Sequence, residues 1–281
     1  MTIRVIQMGL GPIGSAVARQ LIERPGFEVT AAVDIDMDKV GKDLGEVCGM
    51  DKPAGVVVEK NLAAVLGRGE ADVVTHCTSS SLASIVPQLE AILEAGLPVV
   101  STTEELSFPW HPQQELAEKI DAMAKEAGFA VVGTGVNPGY AMDTLPTVLT
   151  AACERVDSIT VDRVQDASIR RLPFQQKIGA GLEPEVFRER ADNLEIRHVG
   201  LTESVAMIAA SLGWKMDRIT DVIEPKIAEE TVSSQYMTVE PGHCSGLIQD
   251  AVGYCDGEPL IKMHMEAYLG SPESYDAVRI E

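Results

Sequence analysis

The chain has 281 residues, enough for two domains of ordinary size that each bury a core of their own. Asp and Glu number 43 against 23 Lys and Arg, and the resulting net charge of −20 argues against nucleic acid and anionic membranes as partners. We expect a well-solvated acidic surface.

Targeting and metal-binding signals are missing from the sequence. No stretch approaches the ~18 consecutive apolar residues of a membrane span, and a strand pattern begins at residue 3 without a basic leader, so a cytoplasmic protein is predicted. The five histidines and five cysteines are widely scattered, without a C-x-x-C pair. The sequence therefore predicts neither a disulfide framework nor a metal site.

The first predicted elements form a strand, a glycine-rich turn and a helix. An apolar strand at 3–8 leads into the run GLGPIG and a helical pattern at 12–24, and a second strand at 28–34 ends on Asp34. This order is typical of a dinucleotide-binding fingerprint, in which the glycines allow a tight turn, close approach of a pyrophosphate and close helix packing. The predicted cofactor-binding loop comprises Gly9, Gly11, Pro12, Ile13 and Gly14.

Asp34 lies 20 residues after Gly14, where a carboxylate can accept hydrogen bonds from the adenosine ribose hydroxyls. It predicts NAD as the cofactor, because a 2′-phosphate on the ribose would meet its negative charge. Lys39 and Lys42 follow closely enough to weaken that preference, so NADP is not excluded.

Short runs rich in Val, Ile and Ala alternate with helical patterns over the rest of the first half. They predict strands at 55–58, 72–77, 97–101 and 129–133 and helices at 82–95 and 111–127. Strands that alternate with helices form a parallel sheet with right-handed crossovers. A Rossmann domain is therefore predicted over residues 1–139.

From about residue 156 the strands are longer and alternate between apolar and polar residues. Residues 259–268 place three apolar side chains on one face and charged or polar ones on the other, as in a half-buried antiparallel strand. Residues 157–166 and 231–254 show similar patterns, and helices are predicted at 184–192 and 202–212. The predicted fold class is α/β, a Rossmann parallel sheet followed by an α+β open-sheet domain over residues 140–281.

Three polar loops follow predicted strands at the sheet edge where open α/β folds bind ligands. They cover residues 76–81, 101–110 and 133–139. Glu104 and Glu105 are the acidic side chains of these loops, and either could exchange a proton with a substrate.

A structural role for these glutamates is equally open at this point. Ser101 with Glu104, and Thr102 with Glu105, have the spacing of a capping box at the start of a short helix. One glutamate could therefore cap a helix while the other faces the site.

Two further features have competing interpretations. Cys77 ends a predicted strand, where it could be the nucleophile of an acylating aldehyde dehydrogenase, but without a clear histidine partner a small buried residue is favoured. Arg170, Arg171 and Lys177 form a basic cluster in an acidic chain. The cluster could cover a substrate pocket or be a solvated turn.

Several long motifs resemble those of the 2,4-diaminopentanoate dehydrogenase and native amine dehydrogenase family, within the dihydrodipicolinate-reductase-like fold group. They are GLGPIG at 9–14, VGKDLGEVCG at 40–49, STTEELSFPW at 101–110, GTGVNPGYAMD at 133–143, the segment 163–181 and IRHVGLTESVAMIAASLGW at 196–214. The His-His and Lys-x-Asp-Ala-Pro-Ser-Gly-Thr motifs of dihydrodipicolinate reductases have no counterpart here. That difference argues against a cyclic dicarboxylate substrate.

The resemblance implies an NAD(P)-dependent oxidoreductase that interconverts an amine with a ketone or aldehyde plus ammonia. It implies Glu104 as the acid/base, with Glu105 as the alternate. In the direction of amine formation this glutamate would deprotonate ammonium and assist the loss of water from the carbinolamine. Asn137 matches a position near the nicotinamide. The nicotinamide-side contacts are predicted to be Thr78, Ser79 and Thr102.

The resemblance also implies a homodimer formed through the sheet of the second domain. Chains of this family continue by several tens of residues past the position of Ile280, so the second domain is expected to be short at its C-terminus. Two alternative functions stay open: a non-aminating alcohol or aldehyde dehydrogenase, and a dinucleotide-binding sensor without turnover.

Overall fold

A six-stranded parallel sheet organises the first of two units in the computed structural model, which describes residues 2–281. This unit ends at Gly135. Its strands are β1 (Ile3–Met8), β2 (Phe27–Val33), β3 (Val58–Glu59), β4 (Val73–His76), β5 (Val99–Ser101) and β6 (Val131–Gly133). Its helices are α1 (Pro12–Glu23), α2 (Leu44–Val47), α3 (Leu62–Leu66), α4 (Leu82–Glu94) and α5 (Gln114–Ala127).

The strand order is β3-β2-β1-β4-β5-β6, so the chain changes direction across the sheet between β1 and β4. The crossovers on the two sides of this point place helices on opposite faces. One apolar cluster accordingly packs under α1 and a second under α4 and α5. The chain leaves β1 and β4 towards opposite faces of the sheet at this switch point, where doubly wound folds bind their ligands.

The second unit, Val136–Glu281, contains a five-stranded mixed sheet in the order β13-β7-β12-β11-β8. Its strands are β7 (Ile159–Asp166), β8 (Arg218–Ile227), the short pair β9 (Val232–Ser233) and β10 (Thr238–Val239), β11 (Cys244–Cys255), β12 (Glu258–Tyr268) and β13 (Tyr275–Ile280). Its helices are α6 (Thr144–Leu149), α7 (Leu172–Lys177), α8 (Pro184–Asp192) and α9 (Leu201–Leu212). The predicted fold class is confirmed.

Alternation along β12 gives the sheet of the second unit one covered and one open face. Ile261, Met263 and Met265 are buried in the core formed with the helices, while Lys262 and His264 lie on the other face. The strand runs antiparallel to β11 and parallel to β7. The predicted half-buried strand is therefore present, in a mixed sheet.

Three details differ from the sequence-based expectation. The run 231–254 is interrupted, since β9 and β10 are two-residue strands and the long strand begins only at Cys244. The strand expected at 55–58 is reduced to Val58–Glu59. β8 was not predicted because its apolar pattern is broken by acidic residues and Pro225, which an edge strand pairing only with β11 tolerates.

Among residues 2–281, every helix is too short or too polar to cross a membrane.

Candidate active site

The glycine loop after β1 is packed against the end of β4. Gly9 has φ of +84°, and a Cβ there would collide with the backbone carbonyl of Cys77. A Cβ on Gly14 would collide with the carbonyl oxygen of Gly9. Gly11 differs, because no described atom lies within 4 Å of the position its Cβ would take. Two glycines are thus required by the fold, whereas the third leaves open space for a ligand.

The start of α1 is suited to an anion. Gly11 is the N-cap residue, Pro12 occupies the first turn, and no side chain among residues 2–281 caps the helix. The first turn carries no acidic residue, and Ile13 is exposed. Uncapped N–H groups and the positive end of the helix dipole are the features that bind a pyrophosphate. The predicted loop residues therefore fit a dinucleotide.

The Asp34 carboxylate is hydrogen bonded to this loop. Its Oδ2 accepts a hydrogen bond from Leu10 N at 2.6 Å, and its Oδ1 accepts one from Asp36 N at 2.8 Å. Lys39 Nζ lies 3.6 Å from Asp34 Oδ2 and 3.0 Å from Asp36 Oδ2. The positive charge of Lys39 is therefore placed beside the predicted ribose site, whereas Lys42 pairs with Glu46.

Glu105 has a structural role. Glu104–Leu106 form a 3-10 turn, and Glu105 Oε2 accepts hydrogen bonds from Leu82 N at 2.7 Å and from Gln113 Nε2 at 2.6 Å. Leu82 is the first residue of α4, whose N-cap Ser81 makes no side-chain cap. Glu105 thus caps a helix that is distant in sequence, and a carboxylate at that end is also favoured by the helix dipole.

The half-buried carboxylate of Glu104 makes no hydrogen bond or ion pair with any residue that the structure describes. The two expected capping boxes do not form, since Thr103 is the N-cap residue of the turn and makes no side-chain cap. Of the two glutamates, only Glu105 is therefore hydrogen bonded through its carboxylate within the part of the chain that the structure describes.

The predicted nicotinamide-side residues differ in orientation. The exposed Thr78 has its hydroxyl 2.9 Å from His76 Nε2 and donates to Gln88 Oε1 at 2.7 Å, so this hydroxyl is engaged within the first unit. The Thr102 side chain is hydrogen bonded to the Cys77 thiol. Ser79 Oγ accepts a hydrogen bond from Ser81 N at 3.1 Å, which leaves its own proton for another partner.

Cys77 is a packing residue under the glycine loop. Its Cβ lies 3.2 Å from the position that a Cβ on Gly14 would take. Burial raises the pKa of the Cys77 thiol, and hydrogen bonds with Thr102 and Gln7 only partly oppose that effect. A buried thiol with a raised pKa is a poor nucleophile.

In the second unit, Asn137 and His198 form a second polar site. Asn137 Oδ1 and His198 Nε2 are both buried and have no hydrogen-bond partner among residues 2–281. Burial, with the charges of Lys177 and Arg163 as smaller causes, lowers the pKa of His198 to about 3, and a hydrogen bond with the Asn137 backbone partly opposes that shift. The imidazole is therefore neutral, and with its proton on the nitrogen facing that backbone, Nε2 is an acceptor.

A buried carboxylate fixes the turn that carries Asn137. Asp143 is fully buried and accepts hydrogen bonds from Gly139 N and Ser204 Oγ, each at 2.7 Å. Gly200, just before α9, packs against Pro138 so closely that a Cβ would collide with the ring. The position of Asn137 is thus determined inside the second unit.

Sequence reasoning identified only part of this second site. Of the basic cluster, Lys177 and Arg170 are both exposed; the charge of Lys177 acts on His198, whereas Arg170 stacks over Phe174 at 5.0 Å. Arg163 and His198 were not singled out, although both lie in motifs that carry the family resemblance. Across residues 2–281, no three His, Cys, Asp or Glu side chains are arranged to hold a metal ion.

We expect iodoacetamide to modify Cys153 and not Cys77 in the native protein. Cys153 is exposed, whereas the Cys77 thiol is partly buried and its pKa is raised by that burial. Mass spectrometry of the alkylated protein measures both sites, with urea-unfolded protein as the control in which both react. Modification of native Cys77 as fast as Cys153 would revive the nucleophile interpretation.

Comparison with known proteins covers both units. Residues 140–273 match the model of the 2,4-diaminopentanoate dehydrogenase C-terminal domain, and residues 3–134 match that of the dihydrodipicolinate reductase N-terminus. The 2,4-diaminopentanoate dehydrogenase of Acetoanaerobium sticklandii is 34% identical over 268 residues, which span 93% of this chain and 74% of that protein.

More distant relatives have the same fold. An amine dehydrogenase of Streptomyces virginiae is 24% identical over 92% of this chain and 73% of its own length. The structure of an amine dehydrogenase from Mycobacterium smegmatis superposes with a TM-score of 0.86 at 24% identity, covering 100% of this chain and 84% of that one. The chain therefore belongs to the 2,4-diaminopentanoate dehydrogenase family and is an NAD(P)-dependent oxidoreductase.

Proposed function

We propose that the protein is an amine dehydrogenase that interconverts a small carboxylate-bearing amine with the corresponding ketone or aldehyde plus ammonia, and that Glu104 is its acid/base. The observation that carries the proposal is the contrast between adjacent glutamates on one turn. The Glu105 carboxylate accepts hydrogen bonds from the start of α4 and from Gln113, whereas the Glu104 carboxylate makes no hydrogen bond or ion pair with the described residues. Glu104 follows β5 at the carboxyl edge of the nucleotide-binding sheet.

In the direction of amine formation, Glu104 first accepts a proton from ammonium. The ammonia released attacks the carbonyl carbon, and transfer of a proton from the nitrogen to the former carbonyl oxygen of this adduct gives a neutral carbinolamine. Protonated Glu104 then donates its proton to the carbinolamine hydroxyl, which leaves as water and yields an iminium carbon. When bound, the nicotinamide supplies the hydride that reduces this carbon. One glutamate thus moves one proton in each direction, and no second titrating group is needed.

The cofactor contacts belong to the first unit. The uncapped start of α1 is proposed to hold the pyrophosphate, with the open space beside Gly11 as its approach. Asp34 is proposed to accept from the ribose hydroxyls, and the carboxylates of Asp34 and Asp36 disfavour a 2′-phosphate. Lys39, which lies within reach of both carboxylates, moderates that preference for NAD.

The second unit supplies a reason to expect a carboxylate on the substrate. The relative from Acetoanaerobium sticklandii is named for 2,4-diaminopentanoate, which carries an amine and a carboxylate. Lys177 and Arg163 provide positive charge near His198, and the Asn137 Oδ1 and His198 Nε2 acceptors suit an ammonium donor. Because buried polar atoms normally have partners, the pair is proposed to accept hydrogen bonds from a ligand bound in the second unit.

The reaction is tested by NADH oxidation with ammonium and small ketones, and by NAD reduction with 2,4-diaminopentanoate. We expect strict dependence on ammonium and a higher kcat/KM with NADH than with NADPH. Glu104→Gln is expected to lower kcat by about 10²- to 10⁴-fold because it removes the acid/base. NADH oxidation that is independent of ammonium would favour the non-aminating dehydrogenase, and NADH binding without turnover would favour the sensor.

Glu105→Gln is the matched control for this variant. It is expected to keep kcat and to destabilise the fold by roughly 1 kcal/mol, since the start of α4 loses a charged cap. The melting temperature of Glu104→Gln should equal that of the wild type. The assignment fails if Glu104→Gln retains full activity or if Glu105→Gln is the inactive variant.

Lys177→Met is expected to raise KM for 2,4-diaminopentanoate by about 10- to 100-fold, because a charge-assisted contact to the carboxylate is lost. The KM for an amine of similar size without a carboxylate should not change. Arg170→Met is the matched control, since Arg170 stacks over Phe174 and is not among the charges that act on His198. Equal effects on charged and uncharged substrates, or equal effects of the two variants, would contradict carboxylate binding.

We also propose a homodimer through the open face of the sheet in the second unit. Val222 is 52% exposed there, Arg218 stacks on Tyr254 at 3.9 Å, and His264 Nδ1 lies 2.7 Å from Asp250 Oδ1. Sedimentation is expected to give twice the chain mass, and Val222→Glu is expected to shift it towards the monomer. A monomeric wild type would contradict this proposal.

A cytoplasmic location stays a prediction of the sequence.

A further inference from the structure

Two polar side chains are fully buried at the switch point of the parallel sheet. Gln7 on β1 and His76 on β4 both have 0% exposure. In the register of these strands, Gln7 pairs with Thr75 and Met8 pairs with His76. Because successive residues of a strand point to opposite faces, Gln7 and His76 lie on opposite sides of the sheet. A side chain buried to this extent is stable only if its polar atoms are hydrogen bonded.

Gln7 holds the glycine loop from the α1 side. Its Nε2 donates to Gly9 O at 2.9 Å, and its Oε1 accepts from Thr75 Oγ1 at 2.7 Å. Gly9 is the residue that turns the chain towards the start of α1. Gln7 therefore fixes the backbone of the proposed pyrophosphate loop.

His76 makes the corresponding contacts on the α4 side. His76 Nδ1 lies 2.9 Å from Ser101 Oγ, and Nε2 lies 2.6 Å from Gln88 Oε1 on α4. A glutamine carbonyl only accepts, so Nε2 carries the ring proton and Nδ1 is an acceptor; the single Ser101 hydroxyl proton is shared between His76 Nδ1 and Thr103 Oγ1. Burial lowers the pKa of His76, which keeps the ring in this neutral form.

The contact with Ser101 continues to the turn that bears Glu104. Thr103 N donates to Ser101 Oγ at 3.2 Å, and the two hydroxyl oxygens lie 3.0 Å apart. Thr103 Oγ1 donates in turn to Ser79 O at 2.8 Å. Thr103 is fully buried and directly precedes Glu104. The backbone that presents Glu104 is thus tied to His76 through two residues.

We propose that His76 is a positioning residue for the amine dehydrogenase reaction, holding the turn of Glu104 through Ser101 and Thr103. The inference rests on the proposed function of Glu104. At the switch point, Gln7 then fixes the glycine loop that is proposed to bind the cofactor, and His76 fixes the turn that bears Glu104. His76 exchanges no proton in turnover.

The test compares His76→Leu with His76→Asn and with Gln7→Leu. His76→Leu is expected to lower kcat by roughly 10- to 100-fold, because small displacements of a catalytic group have effects of that size. It should also speed hydrogen exchange of the amides of residues 103–106 and leave the Kd of NADH within about 2-fold. His76→Asn keeps an acceptor towards Ser101 Oγ and is expected to restore most of the loss. Gln7→Leu should instead weaken NADH binding.

Hydrogen exchange separates this inference from the proposed function. If the wild type turns over no amine, faster exchange over residues 103–106 in His76→Leu still supports the positioning role, and unchanged exchange overturns it. Equal loss of kcat in His76→Asn and His76→Leu would also overturn it, as would loss of an ionisation from the pH profile of kcat in His76→Asn. If His76→Leu does not fold, Ser101→Ala removes the same link and carries the same expectations.

Discussion

The close approach of the loop after β1 to the end of β4 is the constraint on which the first unit depends. Gly9 and Gly14 have no room for a side chain because the backbone of Cys77 and the carbonyl of Gly9 fill that space. This contact brings the glycine loop, the 77–81 loop and the start of α1 to one point of the sheet. The direction of α1, and with it the orientation of its uncapped N–H groups, follows from that packing.

Neighbouring glutamates acquire different roles through contacts that are distant in sequence. Local spacing assigned both Glu104 and Glu105 to capping boxes within their own segment. The structure instead joins Glu105 to Leu82, 23 residues earlier, because the loops after β4 and β5 lie side by side at the edge of the parallel sheet. The spacing of residues within one segment gives no information about this long-range hydrogen bond. The sequence alone therefore left the choice between the two glutamates open.

The difference between local sequence patterns and contacts that are distant in sequence also explains which parts of the fold could be predicted. The alternation of strands and helices, the glycine loop and the amphipathic β12 are set by short-range patterns and were predicted within a few residues. β8 depends on tertiary pairing at a sheet edge, where polar residues and a proline are tolerated. The site around Asn137 and His198 was also missed as a group. Its residues come from β7, α7 and two loops, and only the folded unit brings them together.

Each unit contains a buried imidazole that is held neutral. Burial lowers the pKa of both His76 and His198, in the second case with help from Lys177 and Arg163. A charged His198 would donate from Nε2, add a third cation to that group and lose its ability to accept from an ammonium. A charged His76 would place an unpaired cation in an apolar core. With both rings held neutral, the proton transfer proposed here falls to a carboxylate, and we propose Glu104 because its side chain has no hydrogen-bond or ion-pair partner among residues 2–281.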